Sequence, residues 1–176
     1  MNYSKIKFLS VALVCGGLLY GCGSSSESET ETDTPYLTAD EDQGGLDLPS
    51  GFQSYVIAED LGRARHLAVR ENGDIYVNLR EANEQGGIAA LRDTDGDGRA
   101  DEIKYFGDFG GTGMAFYNGN LYASNDSTVF RFSFTGDSLI PDNAASPDTI
   151  VSGLPVQTSH AAKSFTFDDE GFLYVN

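Results

Sequence analysis

The stretch Asp93-Thr94-Asp95-Gly96-Asp97-Gly98-Arg99-Ala100-Asp101-Glu102 sets carboxylates at alternate positions on a chain that its glycines allow to turn sharply. Asp93, Asp95, Asp97, the carbonyl of Arg99 and Asp101 fall at relative positions one, three, five, seven and nine, the oxygen spacing of a calcium loop. The twelfth position is Lys104 and no helical pattern flanks the loop, so it departs from an EF-hand. It suits a structural calcium site of the helix-free kind, against the plainer reading of an exposed acidic turn between strands. Histidine occurs twice. His160 lies in the loop Pro155–Lys163 that leads into an apolar strand, where an imidazole can exchange a proton near neutral pH. His66 heads an apolar strand in Arg63-Ala64-Arg65-His66-Leu67 and reads as a half-buried packing residue. Lys163 reads as a solvated lysine at a strand edge.

The elements that must position these groups repeat. His66–Val77, Gly113–Ala123 and Ser164–Val175 share one pattern: a strand, a glycine turn, and a second strand ending in Tyr plus a small or branched residue. This is a hairpin signature. The turn glycines stand at 73, 119 and 171, a spacing near 50 residues. Four-stranded blades of a β-propeller take roughly 40 to 50 residues each, so the expected fold is all-β and propeller-like. Three unrelated hairpins in a sandwich are the competing arrangement. Gly87–Arg92 and Thr128–Phe134 are expected as third strands, with Phe52–Ile57 and Thr149–Val151 as outer strands. Residues 48–176 supply about two and a half to three blades, whereas propellers close with four to eight. The chain therefore reads as truncated, the fragment as inactive on its own.

The N-terminal stretch narrows the compartment. Residues 1–21 carry Lys5 and Lys7, then an apolar run too short to span a bilayer, then small residues, as an export signal does. Leu19-Tyr20-Gly21-Cys22 resembles a bacterial lipobox, which makes Cys22 the expected acylated residue and membrane anchor. The exported part then has no second thiol, hence no disulfide. Residues 22–47 are acidic, free of Lys and Arg, and read as a disordered tether. Eleven Lys and Arg against 27 Asp and Glu give a formal charge of −16, which excludes a nucleic-acid partner. The protein is expected to be lipid-anchored at a bacterial membrane, on its periplasmic face or at the cell surface.

Leu48–Phe52 with Val56–Ala58, then Ala64–Val69, Asn72–Val77, the Asp-rich loop, Gly111–Phe116 and His160–Phe165 follow one another in fixed order. From about residue 48 to the end, this succession resembles the N-terminal half of the glucose/sorbosone dehydrogenase family. The resemblance implies a six-bladed propeller that binds pyrroloquinoline quinone with calcium and oxidises an aldose or related sugar, passing electrons to an acceptor. His160 matches the family's general base, which takes the hydroxyl proton as hydride leaves carbon. Ser159 stands where the family often has Asp, and Asp108-Phe109 where soluble glucose dehydrogenases carry Gln. The residues that would hold the quinone and its own calcium belong to later blades, and the Asp93 loop is not equated with that calcium. A non-catalytic, calcium-stabilised propeller binding a glycan or protein partner is the alternative. A calcium-dependent adhesion lipoprotein is a third reading, resting on the Asp93 loop and the tether.

Overall fold

A computed structural model describes residue 37, residues 39–157 and residues 161–176. Among these, ten strands and one 3-10 turn (Gln43–Gly45) form the regular structure. The strands are β1 (Ala64–Val69), β2 (Ile75–Leu79), β3 (Ile88–Arg92), β4 (Glu102–Phe106), β5 (Met114–Tyr117), β6 (Asn120–Ser124), β7 (Val129–Phe132), β8 (Asp148–Val151), β9 (Phe165–Phe167) and β10 (Leu173–Val175). They make two four-stranded antiparallel meanders, β1-β2-β3-β4 and β5-β6-β7-β8, followed by the hairpin β9-β10. The fold is all-β, built of propeller blades in chain order.

The repeat of the sequence is the repeat of the structure. Gly73, Gly119 and Gly171 have φ of 93°, 72° and 91°, values that residues with a Cβ rarely adopt, so the hairpin turns fall where the spacing predicts. One expected strand is absent. Phe52–Ile57 forms no strand, because its backbone is committed elsewhere. Ser54 O accepts from Asp40 N, Val56 N donates to Asp40 Oδ2 at 2.6 Å, and Ile57 O accepts from Ala100 N at 2.9 Å. The outer place beside β3 is taken by β4, with Leu91 opposite Ile103. Asp40, within the stretch read as tether, thus bonds to the segment leading into blade 1.

Apolar residues close the seams between blades. Tyr76, Ile88, Ala90 and Phe106 of the first sheet meet Met114, Leu121, Ala123 and Phe132 of the second, with Leu139. Complete burial of a ring such as Phe132 stabilises by about 3 kcal/mol. Edge-on aromatic contacts, Phe106 to Phe132 at 5.1 Å and Tyr76 to Phe116 at 5.4 Å, fix the geometry. A second seam joins Tyr122 and Val129 to Phe165, and Tyr117 stacks on Phe167 at 4.5 Å.

Backbone contacts require glycine at the seam. A Cβ on Gly111 would lie 1.7 Å from the Ser124 carbonyl oxygen, and Gly111 N donates to Leu79 O at 2.8 Å. Any larger residue would push blade 1 from blade 2.

Candidate functional site

The strand directions sort the chemistry onto two ends of the blades. Hairpin turns and the β3–β4 loop share one end; the start of β1, the β2–β3 and β4–β5 connections and the approach to β9 share the other. The Asp93–Asp101 loop therefore stands at the end away from His66, separated by the length of the five-residue strand Ile88–Arg92, roughly 14 Å.

At the loop, the carboxylates of Asp93, Asp95 and Asp101 converge, one oxygen from each within 4.8 Å of the others. Asp93 accepts from Gly96 N at 2.7 Å and Gly98 N at 2.8 Å. Asp101 accepts from Thr94 N and Oγ1, both at 2.8 Å. These donors hold both carboxyls below the usual carboxylate range, the Gly98 amide leading for Asp93 and the Thr94 amide for Asp101. Asp97 stands apart from the trio, accepting from Arg99 N at 2.7 Å. The Arg99 guanidinium donates to Val56 O at 3.0 Å and pairs with Asp40. Three carboxylates converging on an exposed loop suit a hard cation.

The same end carries a clasp that the sequence reading missed. Asp74, 2% exposed, is gripped by Arg92 with Nε to Oδ1 and Nη2 to Oδ2, each at 2.7 Å. Burial works against its charge, but the Arg92 and Asn72 hydrogen bonds more than offset it and the carboxyl lies below its ordinary range. Arg92 reaches on to Asp137 O, and Arg70 to Gly136 O and Ser138 O. Blade 1 thereby holds the β7–β8 loop of blade 2. A signal existed: the positions equivalent to Asp74 in the other two repeats are Asn120 and Phe172, so only blade 1 has an acid there.

At the opposite end, Ala64 opposes Leu79 and His66 opposes Asn78, leaving Arg65 as the extra residue of a β-bulge. Bulges of this kind re-aim side chains. His66 is exposed, not half-buried as expected from the apolar run after it. Its Nδ1 lies 2.9 Å from Thr112 O, and because a carbonyl only accepts, Nδ1 carries the proton. Ala68, on the same face, packs against the seam to blade 2, which places His66 beside Thr112.

Asn78, Ser124 and Asn176 stand within a residue of the end of the second strand of each repeat and tie the structure together. Asn78 Nδ2 donates to Gly113 O and Ser124 O, and Ser124 Oγ donates to Lys163 O at 2.6 Å while accepting from Gly113 N. Ser164 N donates to Asn176 Oδ1 at 3.1 Å. The Oδ1 of Asn78 has no partner among the described residues. The recurrence of a small polar residue after Tyr-x was the available sequence signal. Lys163, expected to be solvated, is 7% exposed, because the connection bonded to Ser124 draws it into the seam. Phe109, where a Gln was of interest, stacks on Phe130 at 4.4 Å as a packing residue. His160, Ser159 and Cys22 lie outside the described residues.

Arg65 and Lys163 have no carboxylate partner among the described residues, whereas Arg63 pairs with the exposed Glu81 at 3.1 Å.

No family profile and no curated protein matches the chain. Solved structures do. The holo PQQ domain of pyranose dehydrogenase from Coprinopsis cinerea superposes with a TM-score of 0.54 at 14% identity, over 65% of this chain and 27% of that one. A Trichoderma reesei member of Carbohydrate-Active Enzymes Family AA12 gives 0.52 at 18% identity, over 66% of this chain and 29% of that one. The same enzyme's calcium structure gives 0.51 at 18%, over 65% and 28%. The chain spans little more than a quarter of the length of these proteins. At such identity the likeness is one of fold: the blades of this chain have the fold of part of a pyrroloquinoline-quinone dehydrogenase-like propeller.

Proposed function

We propose that this chain is the N-terminal part of an exported, quinone-dependent sugar dehydrogenase, anchored through Cys22 to a bacterial membrane and active on an aldose or sorbosone-like sugar. The observation that carries this reading is the superposition on the PQQ domain of pyranose dehydrogenase, added to the ordered motifs of residues 48–176. When bound, pyrroloquinoline quinone supplies the hydride acceptor. Arg65, exposed and without a carboxylate partner among the described residues, is the cation of this chain that could add to the quinone contacts expected from later blades, and His160 takes the hydroxyl proton of the sugar. Electrons pass on to a separate acceptor. The Asp93, Asp95 and Asp101 trio holds calcium in a structural role, since it stands at the end of the blades opposite His66 and Lys163.

The test is calorimetric titration of pyrroloquinoline quinone, with calcium, into the full-length protein, with sugar-dependent dye reduction followed in parallel. Binding with turnover that collapses in His160→Ala supports the dehydrogenase. A folded, calcium-loaded protein that binds no quinone overturns it and leaves the non-catalytic, glycan- or protein-binding propeller.

A further inference from the structure

His66 interrupts a repeat that does not need it. The equivalent positions in the next two blades are Gly113 and Ser164, each bonded to the polar residue opposite it, Ser124 or Asn176. A glycine and a serine meet the structural demands of this position, and an added Cβ at Gly113 would lie 2.4 Å from the Phe165 ring. Blade 1 instead places an exposed imidazole there, at a bulge, opposite fully buried Asn78. The Nδ1–H bond to Thr112 O at 2.9 Å spans the seam between blades 1 and 2 and fixes the tautomer. In the neutral ring, Nε2 therefore holds the lone pair. Unlike Asp74 or Asp93, which are spent on protein donors, Nε2 has no protein partner among the described residues.

We propose that Nε2 of His66 accepts a hydrogen bond from a hydroxyl of the sugar, which makes His66 a substrate-binding residue at the end of blades 1 and 2 away from the Asp93 loop. This inference rests on the dehydrogenase reading above. A lone pair held in place suits a hydroxyl donor. It does not suit the carboxylates and carbonyls of the quinone, which are themselves acceptors. The proton is shared, not transferred, so His66 contributes to binding while His160 serves as base.

The experiment uses full-length protein loaded with pyrroloquinoline quinone and calcium, with glucose as the probe sugar. The amide nitrogen of Asn mimics Nδ1, so His66→Asn keeps the donor to Thr112 O and deletes Nε2; His66→Gln restores a polar group near Nε2. The expected result is a rise of about tenfold in KM at unchanged kcat for His66→Asn, partly reversed in His66→Gln. An unchanged KM in a His66→Asn protein that melts like wild type makes His66 a strut between blades and overturns the proposal. So does a loss confined to kcat. A second readout needs neither turnover nor the variants: carbethoxylation of His66 Nε2 by diethyl pyrocarbonate, mapped by mass spectrometry with and without glucose. Protection by glucose supports the proposal even if the wild type fails to turn over, a failure that would count against the dehydrogenase reading alone. Equal modification with and without glucose overturns it.

Discussion

Arg92 closes on Asp74 with two parallel hydrogen bonds of 2.7 Å, joining the outer end of β3 to the hairpin turn of the same blade. The pair is useful beyond its own blade because the Arg92 Nη2 also donates to Asp137 O of blade 2, at 2.9 Å. Asp74→Asn keeps the shape and removes the charge, leaving the mostly buried Arg92 only the exposed carboxylate of Asp137, 3.7 Å away, in place of its bidentate partner. The expected loss is about 3 kcal/mol in urea unfolding of the full-length protein. A loss under about 0.5 kcal/mol would show the clasp to be ornamental.

The same carboxylate gives a pH dependence. The native pKa of Asp74 is lowered, so the unfolded chain binds its proton first as pH falls. Its contribution is complete above the ordinary Asp value near 4 and is lost on acidification through the native pKa. Unfolding free energy of the wild type should fall more steeply below about pH 4 than that of Asp74→Asn, the two curves converging in acid.

Tyr76 sets a window at the other extreme. Burial, and secondarily the charge of Asp74, pushes its phenol up to about 12, and its hydroxyl donates to Leu139 O at 2.7 Å. The native state holds this proton after the unfolded chain releases it near 10, so stability present below about pH 10 is lost as pH rises towards 12. Ultraviolet tyrosinate titration should show an ionisation near pH 12 that Tyr76→Phe removes, beside that of Tyr174, whose phenol is also raised by its hydrogen bond to Asp168.

Calcium should discriminate among the aspartates of one loop. At a calcium concentration a hundred times Kd, the protein gains about 2.7 kcal/mol, and a chelator takes it away. Asp93→Asn and Asp101→Asn should abolish most of the rise in melting temperature. Asp97→Asn should keep most of it, because the Asp97 carboxylate serves Arg99 N and stands outside the converging trio. Equal effects at Asp93 and Asp97 would refute the trio.

Gly111→Ala tests the close approach of the blades. The added methyl meets the Ser124 carbonyl at 1.7 Å, a backbone atom that cannot swing aside. The expected cost is about 3 kcal/mol or more. Thermal unfolding that matches wild type would mean that the seam gives way more easily than its backbone contacts imply.

Much of the fold was legible because hairpins are local. The glycines at 73, 119 and 171 need left-handed backbone, and alternating apolar residues on either side need a buried face, so turns and inner strands could be read from composition and spacing. The approach of Asp93, Asp95 and Asp101 to one another is local in the same way, through a turn of nine residues, whereas the side-chain direction of Asp97 lay beyond reach.

What the linear chain could not determine were choices made between distant segments. Phe52–Ile57 has the residues of a strand, yet Asp40 and Ala100 claim its backbone groups, and β4 takes the edge beside β3. His66 reads as a packing residue because an apolar run follows it; a bulge at Arg65 and a carbonyl 46 residues away in Thr112 turn it outward with a fixed tautomer. Lys163 reads as solvated because it is a lysine beside a loop, but Ser124 holds its carbonyl and draws it into a seam. The sequence by itself determined the repeat, the turns and the acidic loop, since each depends on neighbours along the chain. Tertiary structure decided which end of the blades each group occupies and which side chains cross a seam, since those depend on backbone partners that sequence distance does not encode.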